Sequence, residues 1–422
     1  MKSMIRKIVK ELQLLLLLGI LFVFAMFQGG FVSWFLFYSM LPIILYMLFI
    51  PFYPISNWKI DRKLSDRYLK TGRNIEVAIT IKRKLRFPIF FLVLEEEFPE
   101  TLQYEDIGKK KYQYLSDQQS YNRKRHVKKV IYPGFQKDFT IHYRIEHLPR
   151  GKHHLSNIHL RIGDPFGFVD CKHRFYVAKD FFVYPAIQEL KWKQQSMSLE
   201  EGSTSSHVHD EKLTNVVSGV REYIPGDRFS WIDWKTTARK NTVMTKEFEQ
   251  EKDSKIVVIL DVGGLQQPQP LVFEAVVEWT ASVLQSLRKK DQSTSFYTFG
   301  KSERFFSNQQ LQFQFPAVQN YLSTVKQEQV SLAERMAVPM KELSRGSVIL
   351  FVIHHLDELV VERLSNWKKQ DYTIVVCYVI PEKQLDVKKE QYIRSLRLKN
   401  ISVQTVTEKQ LMQEQWEVQA SQ

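Results

Sequence analysis

The sequence predicts three parts in series: an N-terminal transmembrane helical hairpin, an antiparallel β-sandwich, and a C-terminal doubly wound α/β domain. Three observations carry this reading. No charged residue occurs between Glu11 and Lys59. Residues 58–190 are filled by short alternating runs divided by Gly and Pro turns. From residue 251 to the end, continuous apolar runs alternate with amphipathic ones, the mark of a parallel sheet with crossover helices.

The hairpin occupies residues 1–57. Its apolar tract divides at Gln28-Gly29-Gly30, leaving spans of about 12–28 and 31–53. A helix needs roughly 17–25 residues to cross the hydrocarbon, so the second run qualifies alone and the first with its flanks. The opening "MKSMIRKIVK" resembles the charged start of a signal peptide, but no small-residue cleavage site precedes Gln28 and a second span follows at once. Lys2, Arg6, Lys7 and Lys10 precede the first span, and Lys59, Arg62, Lys63, Arg67 and Lys70 follow the second. The connecting turn carries no positive charge. The expectation is a two-span protein of the cell membrane with both termini and the body in the cytoplasm. Trp34, Tyr38, Tyr53 and Trp58 are suited to the interfacial belts.

In the second part, "NIEVAITIKRK" and "FPIFFLVLEEEFP" read as strands. "DFTIHYRIEHLPRGKHHLSNIHLRIGDPFGFVD" adds two more, broken by Pro-Arg-Gly and Asp-Pro-Phe-Gly turns, and "FFVYPAI" closes the set. Between them lies a strongly basic run, residues 109–129, that reads as a solvated loop with attraction to anionic lipid as the alternative. A polar linker covers 191–220 and holds His207 and His209, again in a solvated setting. In the third part, "SKIVVILDVGG", "GSVILFVIHHLDE" and "YTIVVCYVIP" read as buried strands, with helices such as "PLVFEAVVEWTASVLQSLRKK" between them. Ligands of such sheets bind at the carboxyl ends of the strands, which points to Asp261–Gly264 and His354–Asp357.

Composition narrows the chemistry. A net charge of +14 suits anionic lipid, nucleic acid or an acidic protein partner without choosing among them. Cys171 and Cys377 are far apart and lack neighbours, so they form no metal or disulfide framework and read as small buried hydrophobes. No GxGxxG follows the first strand of the α/β part, and neither GxxxxGK[ST] nor a Gly-x-Ser-x-Gly elbow occurs. No cofactor and no metal is expected. The densest stretch, "REYIPGDRFSWIDWKTTARKN" at 221–241, is rich in Arg and Trp, the types favoured where partners dock. A purely structural alternative uses Pro225-Gly226-Asp227 as a turn, pairs Asp233 with Arg239, and buries Trp234 as core.

That stretch also carries a resemblance. Arg221, Tyr223, Pro225, Gly226, Asp227, Ile232, Asp233, Trp234, Ala238 and Arg239 stand in the order of the signature of the bacterial family called domain of unknown function 58. Glu247, Glu249 and Glu251 supply its acidic tail, so the signature segment runs over 221–250 and the α/β domain over 251–422. The resemblance implies a von Willebrand factor A-like fold for the latter. Many such domains hold a metal through Asp-x-Ser-x-Ser; this chain keeps Asp261 but has Gly263 and Leu265 at the serine positions, a degenerate remnant. It further implies partners, since the family is often encoded beside MoxR-type AAA+ ATPases and transglutaminase-like membrane proteins. The expected function is therefore a membrane-anchored, cytoplasmic-facing interaction or assembly module and not an enzyme. The alternative is a metal-dependent nuclease using Asp227, Asp233 and Lys235. Nucleic acid is otherwise not the expected partner.

Overall fold

A computed structural model of the chain describes residues 2–121, 125–192, 217–224, 227, 229–248, 255–264, 269–300, 303–336, 343, 346–370 and 372–418. Pro225, Gly226 and Leu265 of the signature and metal remnant lie outside these residues, as do Arg228, His207, His209, Glu249 and Glu251. The chain divides into two units, one of residues 1–186 with 319–325, the other of 187–318 with 326–422.

The first unit opens with two helices, α1 (Lys2–Gln28) and α2 (Phe31–Phe49), joined where Gly29 takes a positive φ. Apolar stretches Val9–Gln28 and Phe31–Phe52 are long and apolar enough to cross a membrane. Eight strands follow: β1 (Lys59–Leu64), β2 (Tyr68–Lys70), β3 (Ile75–Lys82), β4 (Phe91–Glu97), β5 (His126–Ile131), β6 (Asp138–Ile145), β7 (Gly151–Gly163) and β8 (Asp170–Tyr184). They form a three-stranded sheet, β1-β3-β6, and a five-stranded sheet, β2-β8-β7-β4-β5. All pairings are antiparallel except the short β2–β8 contact. Strand β3 shows why the alternation was readable: Ile75, Val77, Ile79 and Ile81 are all buried and the residues between them are not. Both sheets feed one core, which Met47 of α2 and Ile50 and Tyr53 just after it also enter.

Periodicity does not reveal the buried charges of this unit. Arg62 and Glu96 are fully buried and paired at 2.7 Å, and Tyr143 donates to the second Glu96 oxygen. Arg62 also donates to the Val177 carbonyl at 2.8 Å. One of the cations expected to mark the membrane flank is thus a core residue that ties both sheets together. Similarly, the basic run 109–129 is not an open loop: it folds as 3-10 turns at Gly108–Tyr114 and Gln118–Tyr121 before β5. Lys111 and Tyr112 there are buried, with Lys111 bonded to Asp106.

In the second unit, β9 (Leu190–Trp192) pairs with the last strand rather than with the sandwich. The signature segment builds its own hairpin from β10 (Val217–Glu222) and β11 (Met244–Phe248), with α3 (Trp234–Lys240) between them. Then come β12 (Ile256–Asp261), α4 (Pro270–Lys289), β13 (Thr294–Phe299), β14 (Arg304–Phe306), α5 (Asn308–Phe313), α6 (Phe315–Thr324, of which residues 319–324 group with the first unit), α7 (Leu332–Arg335), β15 (Val348–Ile353), α8 (Glu358–Lys368), β16 (Thr373–Val379), α9 (Val387–Leu398), β17 (Ser402–Val406), α10 (Glu408–Leu411) and β18 (Trp416–Val418). The main sheet runs β14-β13-β12-β15-β16-β17, parallel except for the edge strand β14. Strands β12 and β15 are buried at every position, as a strand covered on both faces must be. Val257 and Ile259 share a core with α8 and α9, while Val258 and Leu260 face the other way, toward the α4 side. Cys171 and Cys377 are both free and buried, and burial pushes the Cys377 thiol up to about 12.

Candidate functional site

The residues singled out by the sequence gather in two places, the signature hairpin and the carboxyl end of the main sheet. In the hairpin, Arg221 on β10 grips Asp227 with both guanidinium nitrogens at 2.8 Å. Asp227 also accepts the Ile224 N–H at 3.1 Å. The Arg221 guanidinium, helped by that N–H, holds the Asp227 carboxyl below the usual range. Asp233 caps α3, accepting the Lys235 and Thr236 N–H groups at 3.0 and 3.2 Å. Those N–H bonds likewise lower its pKa. Its own N–H donates to the Met244 carbonyl, and the Met244 N–H donates to Thr237 Oγ1 at 3.0 Å, which laces α3 to β11. Ile232 is buried and bridges Thr245.

Two structural expectations for this stretch are corrected. Among the described ion pairs none joins Asp233 to Arg239, because Asp233 is engaged at the helix N-terminus and Arg239 lies exposed in the last turn. Trp234 is not core: it is 68% exposed, because position N1 of so short a helix projects away from the hairpin. Phe229 is 77% exposed and Ile224 is exposed as well, with Tyr223 stacked on Phe229 at 6.4 Å. Ala238, Lys235, Arg239 and Lys240 are exposed on α3. The charged residues therefore build a scaffold, and the scaffold presents aromatic and cationic side chains to solvent. The carboxylates of Asp227 and Asp233 both face donors of their own segment.

At the sheet end, β13 lies on one side of β12 and β15 on the other, so the chain switches direction there and leaves a crevice. An open cleft of about 610 Å³ is lined by Asp261, Gly263, Gly264, Glu334, His355 and Asp357 among others. Asp261 is buried and accepts the Gly263 N–H at 2.8 Å. His354, equally buried, stands with Nδ1 3.6 Å from the Asp261 carboxylate, too far for a hydrogen bond. Its Nε2 meets the Gln327 side-chain nitrogen at 3.0 Å, so Nε2 accepts and the neutral ring carries its proton on Nδ1. Burial pushes His354 down to about 4 and Asp261 up to about 7. His355 is paired with Asp357 at 3.3 Å, and Asp357 caps α8 through the Val360 N–H.

The residues present do not fit an Asp-x-Ser-x-Ser metal geometry, and the reason is steric as well as chemical. The segment after α6 passes beside the residues that follow β12: the Glu328 N–H donates to the Val262 carbonyl at 2.8 Å, and Glu328 bridges Gly263 in parallel. A Cβ at Gly263 would meet the Val330 oxygen at 2.6 Å and Asp261 Oδ1 at 2.9 Å. Backbone thus occupies the space a serine would need. Among the described residues no group of three or more His, Cys, Asp or Glu is placed to hold a metal. Gly263→Ser should accordingly lower stability by about 1–3 kcal/mol, the usual penalty of overpacking, and leave the melting temperature indifferent to added Mg²⁺. Calorimetry with and without the ion checks it. The glycine was visible in the sequence; the return of residues 327–330 was not.

A two-helix apolar N-terminus, a sandwich, and an α/β body introduced by a laced Arg–Asp hairpin define a multi-part architecture whose two N-terminal helices are long and apolar enough to cross a membrane. The family described as "Protein of unknown function DUF58" matches residues 219–382. The uncharacterized protein YeaD of Bacillus subtilis (strain 168) is 33% identical over 340 residues, 80% of each chain. The chain belongs to the DUF58 family. Among solved structures, the Pseudomonas fluorescens alkylpurine DNA glycosylase AlkC bound to DNA is 12% identical over 30% of both chains, with a TM-score of 0.19. The CARDB domain of Pyrococcus furiosus PF1109 is 7% identical over 30% of this chain and 87% of that one, with a TM-score of 0.18. Scores this low carry no argument about fold or function.

Proposed function

We propose that the chain is a membrane-anchored, cytoplasmic-facing interaction module whose signature hairpin docks a protein partner, and that this partner is a MoxR-type AAA+ ATPase. The carrying observation is that Phe229, Trp234 and Ile224 are held exposed by a scaffold whose own charges are internally satisfied. Exposed aromatics on a rigid support, with Lys235, Arg239 and Lys240 beside them, have the composition of an interface anchor. A von Willebrand factor A-type body is part of this reading. The sheet order, with an antiparallel edge at β14, supports it, and the crowding at Gly263 argues for recognition without metal. Basic residues on both sides of the apolar tract support cytoplasmic termini.

The test uses the full chain in nanodiscs. Immobilised wild type should retain the purified ATPase, and Phe229→Ala/Trp234→Ala should reduce affinity at least about tenfold, since hot-spot aromatics contribute about 2 kcal/mol or more each. The melting temperature should stay within error, because neither ring is in the core. Equal retention by the variant, or none by the wild type, would sink the proposal.

A further inference from the structure

One end of the sandwich is unusual for a surface in water. Three turns meet there: residues 83–90 before β4, 132–137 between β5 and β6, and 164–169 between β7 and β8. Ladder registers place them together, since Phe91 pairs with Gly163, Leu92 with Ile131, and Ile89 bridges Gly134. Each turn displays large apolar side chains in exposed positions: Leu85 and Phe90, Tyr132 and Phe135, Phe166 and Phe168. These turns are built, not loose. Buried Arg83 donates to the carbonyls of Phe87 and Gly134 at 2.8 and 2.6 Å, clamping the first turn to the second. Buried Asp164 accepts the N–H groups of Phe166, Phe168 and Val169, which sets the third. A buried arginine and a buried aspartate thus fix turns whose apolar tips lie outside any core.

The same end receives α2. Tyr46 donates to the Pro88 carbonyl and Tyr53 to the Leu85 carbonyl, both at 3.0 Å. Phe87 stacks on both tyrosines, Phe90 packs edge-on against Tyr46, and Cys171 Sγ contacts the Ile50 carbonyl. Tyr46 lies six residues before the end of the apolar stretch Phe31–Phe52, about 9 Å back along the helix axis. Phe90, packed beside it, is therefore level with apolar turns of the helix. Exposed Lys84 and Arg86 flank the tips, and a cavity of about 230 Å³ bounded by Tyr53, Asn57, Trp58, Lys84 and Leu85 opens at this level. By contrast, the basic run 109–129 attaches at the other end of the strands, where Asp106 bonds His147 and Arg125 reaches Glu146. Strand β6 separates the two ends by roughly 24 Å.

We propose that this end of the sandwich is seated in the bilayer interface, its apolar tips entering the upper hydrocarbon and Lys84 and Arg86 meeting lipid phosphates. Aromatic and long cationic side chains are the types suited to that layer. The proposal rests on the reading that α1 and α2 cross the membrane. It also moves the lipid contact from the basic run 109–129 to the rim at the other end of the strands.

The full chain, reconstituted in nanodiscs of phosphatidylglycerol and phosphatidylcholine, tests this with spin labels at single introduced cysteines. Cys171 and Cys377 are buried and will not label in the folded protein. Labels at Leu85→Cys and Phe166→Cys report the rim, Leu16→Cys the apolar helix, and Leu398→Cys the aqueous surface. Oxygen should relax the two rim labels several-fold more than a water-soluble nickel chelate does, as at Leu16→Cys and opposite to Leu398→Cys. Rim labels that follow Leu398→Cys while Leu16→Cys stays in lipid overturn the seating and leave the anchor standing. A water-exposed Leu16→Cys removes the anchor and the seating together. Rim labels shielded from both reagents overturn it in favour of a contact between copies of the chain.

Discussion

Asp261→Asn should make the protein more acid-sensitive than the wild type between about pH 7 and pH 4. His354 is buried neutral, with its pKa depressed from 6.5 to about 4, so below 6.5 the unfolded chain binds a proton that the folded one refuses. Stability tied to this residue is full above 6.5 and is lost as pH falls toward 4. Asp261 is shifted the opposite way, from 3.8 to about 7, so over nearly the same range the folded chain keeps a proton that the unfolded one releases. In the wild type the two effects oppose, each state binds about one proton in total, and the pair contributes little net slope. Asparagine removes the compensating half while its carbonyl can still accept the Gly263 N–H. The variant should then lose about 3 kcal/mol more than wild type between pH 7 and pH 4, from 2.5 pH units at about 1.36 kcal/mol each. Urea denaturation of both proteins at several pH values measures the difference. Parallel pH profiles would mean that His354 is not held neutral by burial.

Arg62→Ala should destabilise the sandwich by about 3–5 kcal/mol, because it leaves the fully buried Glu96 without its cation. Even with Arg62 present, burial raises the Glu96 pKa, and burial, reinforced by the neighbouring Glu96 carboxylate, pushes Tyr143 up as well. Without Arg62, Glu96 must take a proton on folding, so the deficit should shrink as pH is lowered. The paired replacement Arg62→Met/Glu96→Gln should recover most of the loss, since no charge is then stranded and the amide can still accept from Tyr143. Thermal unfolding of the two variants separates a stranded charge from lost packing: equal destabilisation of both would favour packing.

The parts of this molecule that periodicity controls were legible. An uncharged tract of this length gives two apolar helices, alternation gives β3, and continuous apolar runs give β12, β15 and β16. Gly-Pro and Asp-Pro punctuation marked several turns correctly. The short elements β2, β9, β14 and β18 were not legible, because a three-residue strand has no period and exists only when a partner edge is present. The Leu190–Trp192 strand shows the consequence: its partner is Trp416–Val418, more than 200 residues on, so the unit boundary falls before it.

The signature segment divides the same way. Residue identity fixed its local chemistry, since Asp before a short helix caps it and Arg with Asp six residues on can close a turn. Which rings face water depended on how β10, α3 and β11 cross, and this is why Trp234, apolar by type, lies outside. The family, the order of the three parts and the absence of serine at positions 263 and 265 can be read from the chain alone. Only the tertiary structure decided that Arg62 is buried, that Val330 backbone fills the space at Gly263, and that three distant turns gather beside α2. The reason is range: propensity and pattern act over a few residues, whereas burial, crowding and proton affinity depend on groups that meet only once the chain is folded.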